Sequence, residues 1–280
     1  MVFMVNNVSF PALGLSFDIS PVAFTIFNKE IYWYALIILG GFLAGLSLAS
    51  AGCEKRGIKK EHVFDIAIFG IVSGIIGARI YYVIFSWHEF AGDIMGIFRV
   101  WEGGLAIYGG VIAAIISTAV YCRIKRINIF NALDVGSVGL LMGQSIGRWG
   151  NFTNCEVYGR ATTSIFGMSI NGAPPVAPLF FYESMWSLAG VIIMLFVRDS
   201  KTKNGQVVAF YLLWYSLGRL FLEGMRDPAY VLYLIPNVLG ISQAVAAALI
   251  LISIAFFIYV TRSDKAIYRP VPPIAPEEKE

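Results

Sequence analysis

Seven apolar stretches, at about 30–51, 63–86, 104–122, 131–149, 179–197, 206–224 and 237–261, take up nearly all of this chain. Each is close to the roughly 20 residues that a helix needs to cross the hydrocarbon of a bilayer. In that medium every backbone N–H and C=O must be satisfied within the segment, so helix is the expected form of each stretch. Composition agrees: of 280 residues 58% are hydrophobic and only 14% charged, with a mean hydropathy of +0.71, whereas a soluble domain carries about 25% charged residues. The sequence predicts an all-α polytopic membrane protein with seven transmembrane helices.

Basic residues fall in alternate loops. Lys55, Arg56, Lys59 and Lys60 follow the first span, Arg123, Lys125 and Arg126 the third, Arg198, Lys201 and Lys203 the fifth, and Arg262, Lys265 and Arg269 the seventh. By the positive-inside rule these loops are cytoplasmic, which puts the N-terminus outside and the C-terminus inside, as an odd number of spans requires. Residues 1–29 then read as an arm along the outer interface, 30–262 as the membrane domain, 150–178 as a small extracytoplasmic head, and 263–280, rich in proline and glutamate, as a disordered tail. The start of the chain lacks the pattern of a removable signal peptide. Trp87, Phe90, Phe98 and Trp101 make the loop 87–103 an interfacial element, because indole and phenyl rings favour the headgroup level. The formal charge of +3 is modest and follows this loop bias, so nucleic-acid binding is not expected. Three scattered cysteines and two loop histidines, His62 and His88, show no metal-ligand spacing, and no metal or cofactor is expected.

Chemistry concentrates at one end of two spans. The run Gly147-Arg148-Trp149-Gly150-Asn151-Phe152-Thr153-Asn154-Cys155-Glu156-Val157-Tyr158-Gly159-Arg160 sets two arginines, a glutamate and two asparagines directly after an apolar segment. In the sixth stretch Tyr215, Arg219, Glu223 and Arg226 advance by four, four and three residues, which at about 100° per residue gathers them within roughly an 80° arc. Arg79 sits near the outer end of the second span. Arginines that merely snorkel to headgroups need no carboxylate partners, so this grouping points to an anionic ligand at the outer face, a lipid phosphate being the obvious one. Asp134 lies some 14 residues, or roughly 21 Å, below Arg148 on the same span and is expected to be structural. Glycine clusters such as Gly70, Gly74, Gly77 and Gly103-Gly104 with Gly109-Gly110 fit either close helix packing or room for an acyl chain.

The run GRWGNFTNCEVYGR resembles the signature of bacterial prolipoprotein diacylglyceryl transferases, roughly G-R-x-G-N-F-x-N-G-E-x-x-G-R. Tyr32-Trp33-Tyr34, Gly77-Ala78-Arg79 to Tyr82, Trp101 to Leu105 with Gly109-Gly110, Tyr182-Glu183, and Tyr215 to Arg226 agree in order and spacing, so the resemblance covers nearly the whole membrane part. It implies transfer of the diacylglyceryl group of phosphatidylglycerol to the lipobox cysteine of a preprolipoprotein, forming a thioether and releasing glycerol 1-phosphate. It also implies a bacterial cytoplasmic (inner) membrane enzyme with its site near the outer leaflet, whose partners are phosphatidylglycerol, the signal peptide with its lipobox, and the bilayer. Carried onto this chain, Arg148 and Arg219 become the phosphate clamp, with Asn151, Asn154, Arg79, Arg226, Tyr34, Tyr215, Gly103 and Gly104 as further lipid-binding positions.

Three departures bear on mechanism. Many members have histidine before the second glycine pair, where this chain has Tyr108; a phenol of pKa about 10 is a poor base for the thiol. Glu156 or Glu223 then takes the proton, or nearby arginines acidify the thiol, with Tyr108 only hydrogen-bonding the donor. Residues 177–181 read Ala-Pro-Leu-Phe-Phe where H-P-x-Q-L is common, and Cys155 replaces the usual glycine, as a small-residue substitution and not as a nucleophile. An anionic-solute channel or transporter, or a non-catalytic lipid-binding scaffold, is the alternative reading; the first predicts charges along a path at the midplane, and no internal repeat supports it.

Overall fold

The computed structural model describes residues 5–199, 202–235 and 238–262 and is mostly helical. Its elements in order are β1 (Asn6–Phe10), β2 (Leu15–Ile19), β3 (Val22–Ile26), β4 (Lys29–Tyr32), α1 (Trp33–Cys53), α2 (Lys60–Phe85), α3 (Ile107–Lys125), α4 (Ile129–Thr153), β5 (Ser169–Ile170), α5 (Leu179–Asp199), α6 (Gln206–Glu223), β6 (Tyr233–Ile235), β7 (Leu239–Gly240) and α7 (Ile241–Arg262). Six of these helices are long and apolar enough to cross a membrane. The seventh, α6, has 18 residues and is the one that carries the polar stripe. The expected tail 263–280 lies outside the described residues.

The described residues divide into two compact units, one within 5–49 and 136–262 and the other from 50–135. In the first unit α1 and α4 approach through glycine: a Cβ on Gly45 would lie 2.4 Å from the carbonyl oxygen of Gly139, and one on Gly139 2.5 Å from that of Gly45. Such contact is possible only without side chains, the membrane helix-packing use of small residues. α5 and α6 are locked by a reciprocal pair of tryptophans. Trp186 and Trp214 stack at 4.5 Å, the indole N–H of Trp186 donates to the Trp214 carbonyl at 3.0 Å, and that of Trp214 donates back to the Trp186 carbonyl at 2.9 Å. Each indole lies over a glycine of the opposite helix: a Cβ on Gly218 would come within 2.3 Å of the Trp186 indole nitrogen, and one on Gly190 within 2.4 Å of that of Trp214.

The first strand of the expected interfacial arm pairs with the expected head. β1 pairs antiparallel with β2 and, through Val8 and Ser9, with β5 of the head. Val8, Met168 and Phe180 form a shared buried cluster. A second hairpin, β3–β4, leads straight into α1, so the membrane helix starts at Trp33 and not at residue 30. The rings of Trp149, Phe152 and Phe180 pack on one another beneath the head, tying it to the ends of α4 and α5.

In the second unit α2 and α3 form a tight hairpin. Ser73 donates to Ser117 at 2.9 Å, and Cβ atoms on Gly77 and Gly109 would each fall within 2.3 Å of the opposite helix, so the glycines here serve packing. Arg56, counted above as a loop cation, is buried and pairs at 3.2 Å with Asp134, which is therefore structural as expected. His62 is helical and not in a loop, its Nδ1 2.8 Å from the Tyr121 hydroxyl, which donates to Asp65.

The glycine–indole lock makes a direct prediction. Gly218→Ala puts a methyl group where the Trp186 ring sits and should lower the stability of the purified protein in detergent by about 1–3 kcal/mol, the usual cost of overpacking a tight core. A thermal midpoint unchanged from the unmutated protein would show that the ring can move aside freely.

Candidate active site

The site is built on the ends of three helices in the first unit. α4 carries Arg148 toward its C-terminus, α6 carries Arg219 and Glu223 toward its own, and α5 brings Glu183 in from its N-terminal side. Arg148 Nε lies 2.7 Å from Glu183 Oε2; Arg226 Nη2 lies 2.9 Å and Arg219 Nη1 3.5 Å from Glu183 Oε1. Glu223 Oε2 lies 3.2 Å from Arg219 Nη1 and 3.3 Å from Arg226 Nε. Three guanidiniums thus enclose two carboxylates. The helical spacing expected for Arg219, Glu223 and Arg226 holds, although α6 ends at Glu223 and Arg226 sits in the following turn, bridged to Gly159 of the head.

Exposure separates the arginines. The side chains of Arg148 and Arg219 are 27% and 19% exposed, against 8% for Arg226 and Glu183 and 2% for Glu223. Arg226 is an interior member of the network; burial pulls its guanidinium below its ordinary value while the two glutamates hold it up. Arg148 and Arg219 are the two arginines of the network that stay partly exposed. Arg219 is further held by the Ser242 hydroxyl at 3.3 Å.

Glu183 is the centre of this network, and reading the sequence for site residues passes over it, although it lies in the quoted pair Tyr182-Glu183. The signal is present: Glu183 is the one charged residue in the apolar stretch 179–197, and a lone carboxylate in a membrane helix is a site hypothesis in its own right. Its position is fixed by its neighbour Ser184, whose hydroxyl accepts from Trp149 Nε1 at 3.1 Å and whose carbonyl accepts from Ser145 at 2.9 Å.

The motif after Arg148 closes α4. Cys155 N–H donates to the Phe152 carbonyl and Glu156 N–H to that of Asn151, both at 3.0 Å, with Cys155 at φ +52°. This is a Schellman closure with Cys155 at the left-handed position that glycine normally takes, which explains in physical terms the glycine of the related signature. Burial pushes the Cys155 thiol up, the opposite of what a nucleophilic cysteine needs. Beyond the closure the Glu156 carboxylate accepts from Asn151 Nδ2 at 3.1 Å and Asn154 Nδ2 at 3.3 Å, and Asn151 Oδ1 accepts from Arg148 Nη1 at 3.5 Å. The two asparagines, expected as phosphate donors, here hold Glu156. Gly150 is bare because the Tyr34 ring rests on it: a Cβ would lie 2.6 Å from that ring. Tyr215, one turn from Arg219, stacks on Tyr211 at 6.1 Å.

The remaining predicted residues belong to the second unit. Arg79 is buried and uses its whole fork on main-chain carbonyls: Nε to Ile97, Nη1 to Gly103 and Gly104, and Nη2 to Gly96 and Arg99, at 2.6–3.5 Å. With five donors on five carbonyls, it organises the loop, and it is Gly103 and Gly104, at φ +95° and +68°, that turn their carbonyls toward it. A Cβ on Gly104 would strike Arg79 Nη1 at 2.5 Å. Its expected role as a phosphate ligand gains no support from this geometry. Tyr108, in the first turn of α3, is half exposed and its hydroxyl has no hydrogen-bond partner among the described residues.

Residues 21–259 match the family model described as prolipoprotein diacylglyceryl transferase. Curated relatives named phosphatidylglycerol–prolipoprotein diacylglyceryl transferase include those of Streptococcus pyogenes (40% identical over 260 residues, 89% of this chain and 98% of the relative), Listeria monocytogenes (38% over 253 residues, 86% and 90%) and Bacillus velezensis (37% over 252 residues, 86% and 92%).

The arginine–glutamate network and the helix closure are each open to test by substitution. Glu183→Gln leaves three guanidiniums around one remaining carboxylate, and removal of one partner from a buried pair costs about 3–5 kcal/mol; the variant should show a large fall in thermal midpoint, more than Arg148→Ala, whose charge is nearer water. Cys155→Gly should raise stability by about 1–2 kcal/mol by relieving the left-handed strain; an unchanged or lower midpoint would count against the closure described.

Proposed function

The chain belongs to the prolipoprotein diacylglyceryl transferase family, and we propose on that premise that Arg148 and Arg219 clamp the phosphate of phosphatidylglycerol while its diacylglyceryl group passes to a cysteine thiol. The protein is a membrane transferase that carries out the first step of lipoprotein lipidation, making a thioether and releasing glycerol 1-phosphate. The observation that carries the assignment of the clamp is the pair of partly open guanidiniums, Arg148 and Arg219, converging on one buried carboxylate, Glu183. Departure of a phosphodiester as a monoester concentrates negative charge on phosphate oxygens. Fixed guanidiniums stabilise that charge better than water, which must reorient to do so.

The acceptor is read as the lipobox cysteine of a signal peptide, which reaches the site from the bilayer. Arg226 and Glu223 support the clamp from within, and Tyr34 and Tyr215 border it. α6 is read as the seventh crossing: at 18 residues it spans about 27 Å, and its polar stripe is turned to Glu183, Ser242 and the Arg226 turn and away from lipid. Seven crossings with the basic loops inside put the N-terminus outside, the C-terminus in the cytoplasm and the arginine cluster near the outer leaflet of the bacterial cytoplasmic membrane. A channel or a binding scaffold accounts for the arginines but not for the family membership.

Diacylglyceryl-labelled phosphatidylglycerol and a lipobox peptide provide the test. Arg148→Ala and Arg219→Ala are each expected to lower transfer by about 10²–10³-fold, the usual effect of losing one stabiliser of developing charge, while remaining folded. Full transfer in either variant would remove that residue from the clamp.

A further inference from the structure

We propose that Glu156 is the group that takes the proton from the acceptor thiol, an assignment that rests on the transferase reading above. Three carboxylates stand in or beside the arginine cluster, and they differ in who holds them. Glu183 faces Arg148, Arg219 and Arg226, and Glu223 faces Arg219 and Arg226. A proton placed on either would break a buried ion pair and strand a guanidinium, which is strongly unfavourable. Glu156 has no guanidinium within ion-pair distance among the described residues. Its Oε1 is held by the two neutral amides of Asn151 and Asn154, and its Oε2 has no hydrogen-bond partner there. One oxygen is anchored and the other is open.

Placement supports the same role. The Asn151 amide is shared, its oxygen accepting from Arg148 and its nitrogen donating to Glu156, so the open carboxylate stands one amide away from the clamp. The backbone on both sides of Glu156 is left-handed, Cys155 at φ +52° and Val157 at φ +54°. Cys155 is explained by the end of α4, but a β-branched residue in this region is a true outlier, of the kind that persists where a site fixes it. The step balances without any co-reactant. Sulfur attacks the glyceryl carbon as its proton passes to Glu156; the S–C bond forms and the C–O bond to phosphate breaks. The electron pair leaves on the phosphate oxygen, which Arg148 and Arg219 hold. Glu156 then loses its proton to water or to the departing phosphate.

The test compares two lipobox peptides, one with cysteine and one with selenocysteine, whose selenol is ionised at neutral pH and needs no base. Glu156→Gln is expected to lower transfer to the cysteine peptide by about 10²-fold or more, with the KM for phosphatidylglycerol unmoved. Transfer to the selenocysteine peptide should stay within a few-fold of the unmutated protein, whereas Arg148→Ala should lose both. Glu156→Asp serves as a second variant if glutamine impairs folding: it keeps a displaced carboxylate and should show the same selective recovery on selenocysteine. Equal losses on the two peptides, or undiminished transfer to cysteine, would overturn the assignment. An unmutated protein that transfers to neither peptide would overturn the transferase reading itself.

Discussion

A single buried carboxylate, Glu183, holds three guanidiniums in register, and the geometry of the first unit follows from it. Arg148, Arg219 and Arg226 come from two helices and a turn, and mutual repulsion would drive them apart without an anion between them. Glu223 repeats the device one layer deeper with Arg219 and Arg226. Because each carboxylate serves more than one arginine, the network cannot be dismantled one pair at a time, and effects of substitutions within it will not add.

The helices that carry these groups must themselves be held, and apolar contact alone gives little guidance inside a bilayer, where lipid is as apolar as leucine. The protein uses glycine and directed hydrogen bonds instead. Gly45 against Gly139 fixes α1 on α4, while the Trp186–Trp214 exchange across Gly218 and Gly190 fixes α5 on α6. The second unit solves a similar problem differently: Arg79 is held by main-chain carbonyls, so its charge fixes a loop and pairs with no carboxylate among the described residues.

What the sequence disclosed and withheld follows from distance along the chain. The stripe Arg219, Glu223, Arg226 was legible because its pairs are three and four residues apart, and the motif around Arg148 because its elements are contiguous. The membrane class followed from apolar run lengths. Glu183 was harder, since its partners Arg148 and Arg226 lie on other elements, the second of them 43 residues away, and nothing periodic links them. The pairing of β1 with β5 joins Val8 to Ile170 through a two-residue strand, which carries no pattern of its own. Residue type alone cannot say where an amide turns; in the fold the side-chain amides of Asn151 and Asn154 turn to Glu156. Arg79 is likewise a buried cation whose partners are main-chain carbonyls, two of them turned toward it by the positive φ of Gly103 and Gly104.

The helix ends give the arrangement its electrostatic logic. Arg148 and Arg219 lie within about a turn and a half of the C-termini of α4 and α6, and Glu183 at a like distance from the N-terminus of α5; each charge is where the helix dipole favours it. An incoming phosphate meets the opposite situation. Most phosphate sites on helix termini use N-terminal N–H groups, whereas the proposed clamp stands at two C-terminal ends, whose partial charges disfavour an anion. On the proposed reading these two helix ends do not help to hold a phosphate, and the guanidiniums of Arg148 and Arg219 must do so. In the proposed reaction a thiol that arrives protonated needs an acceptor for its proton beside the clamp, and Glu156, fixed just past the end of α4 with one oxygen held by Asn151 and Asn154, is the carboxylate there that no guanidinium pairs among the described residues.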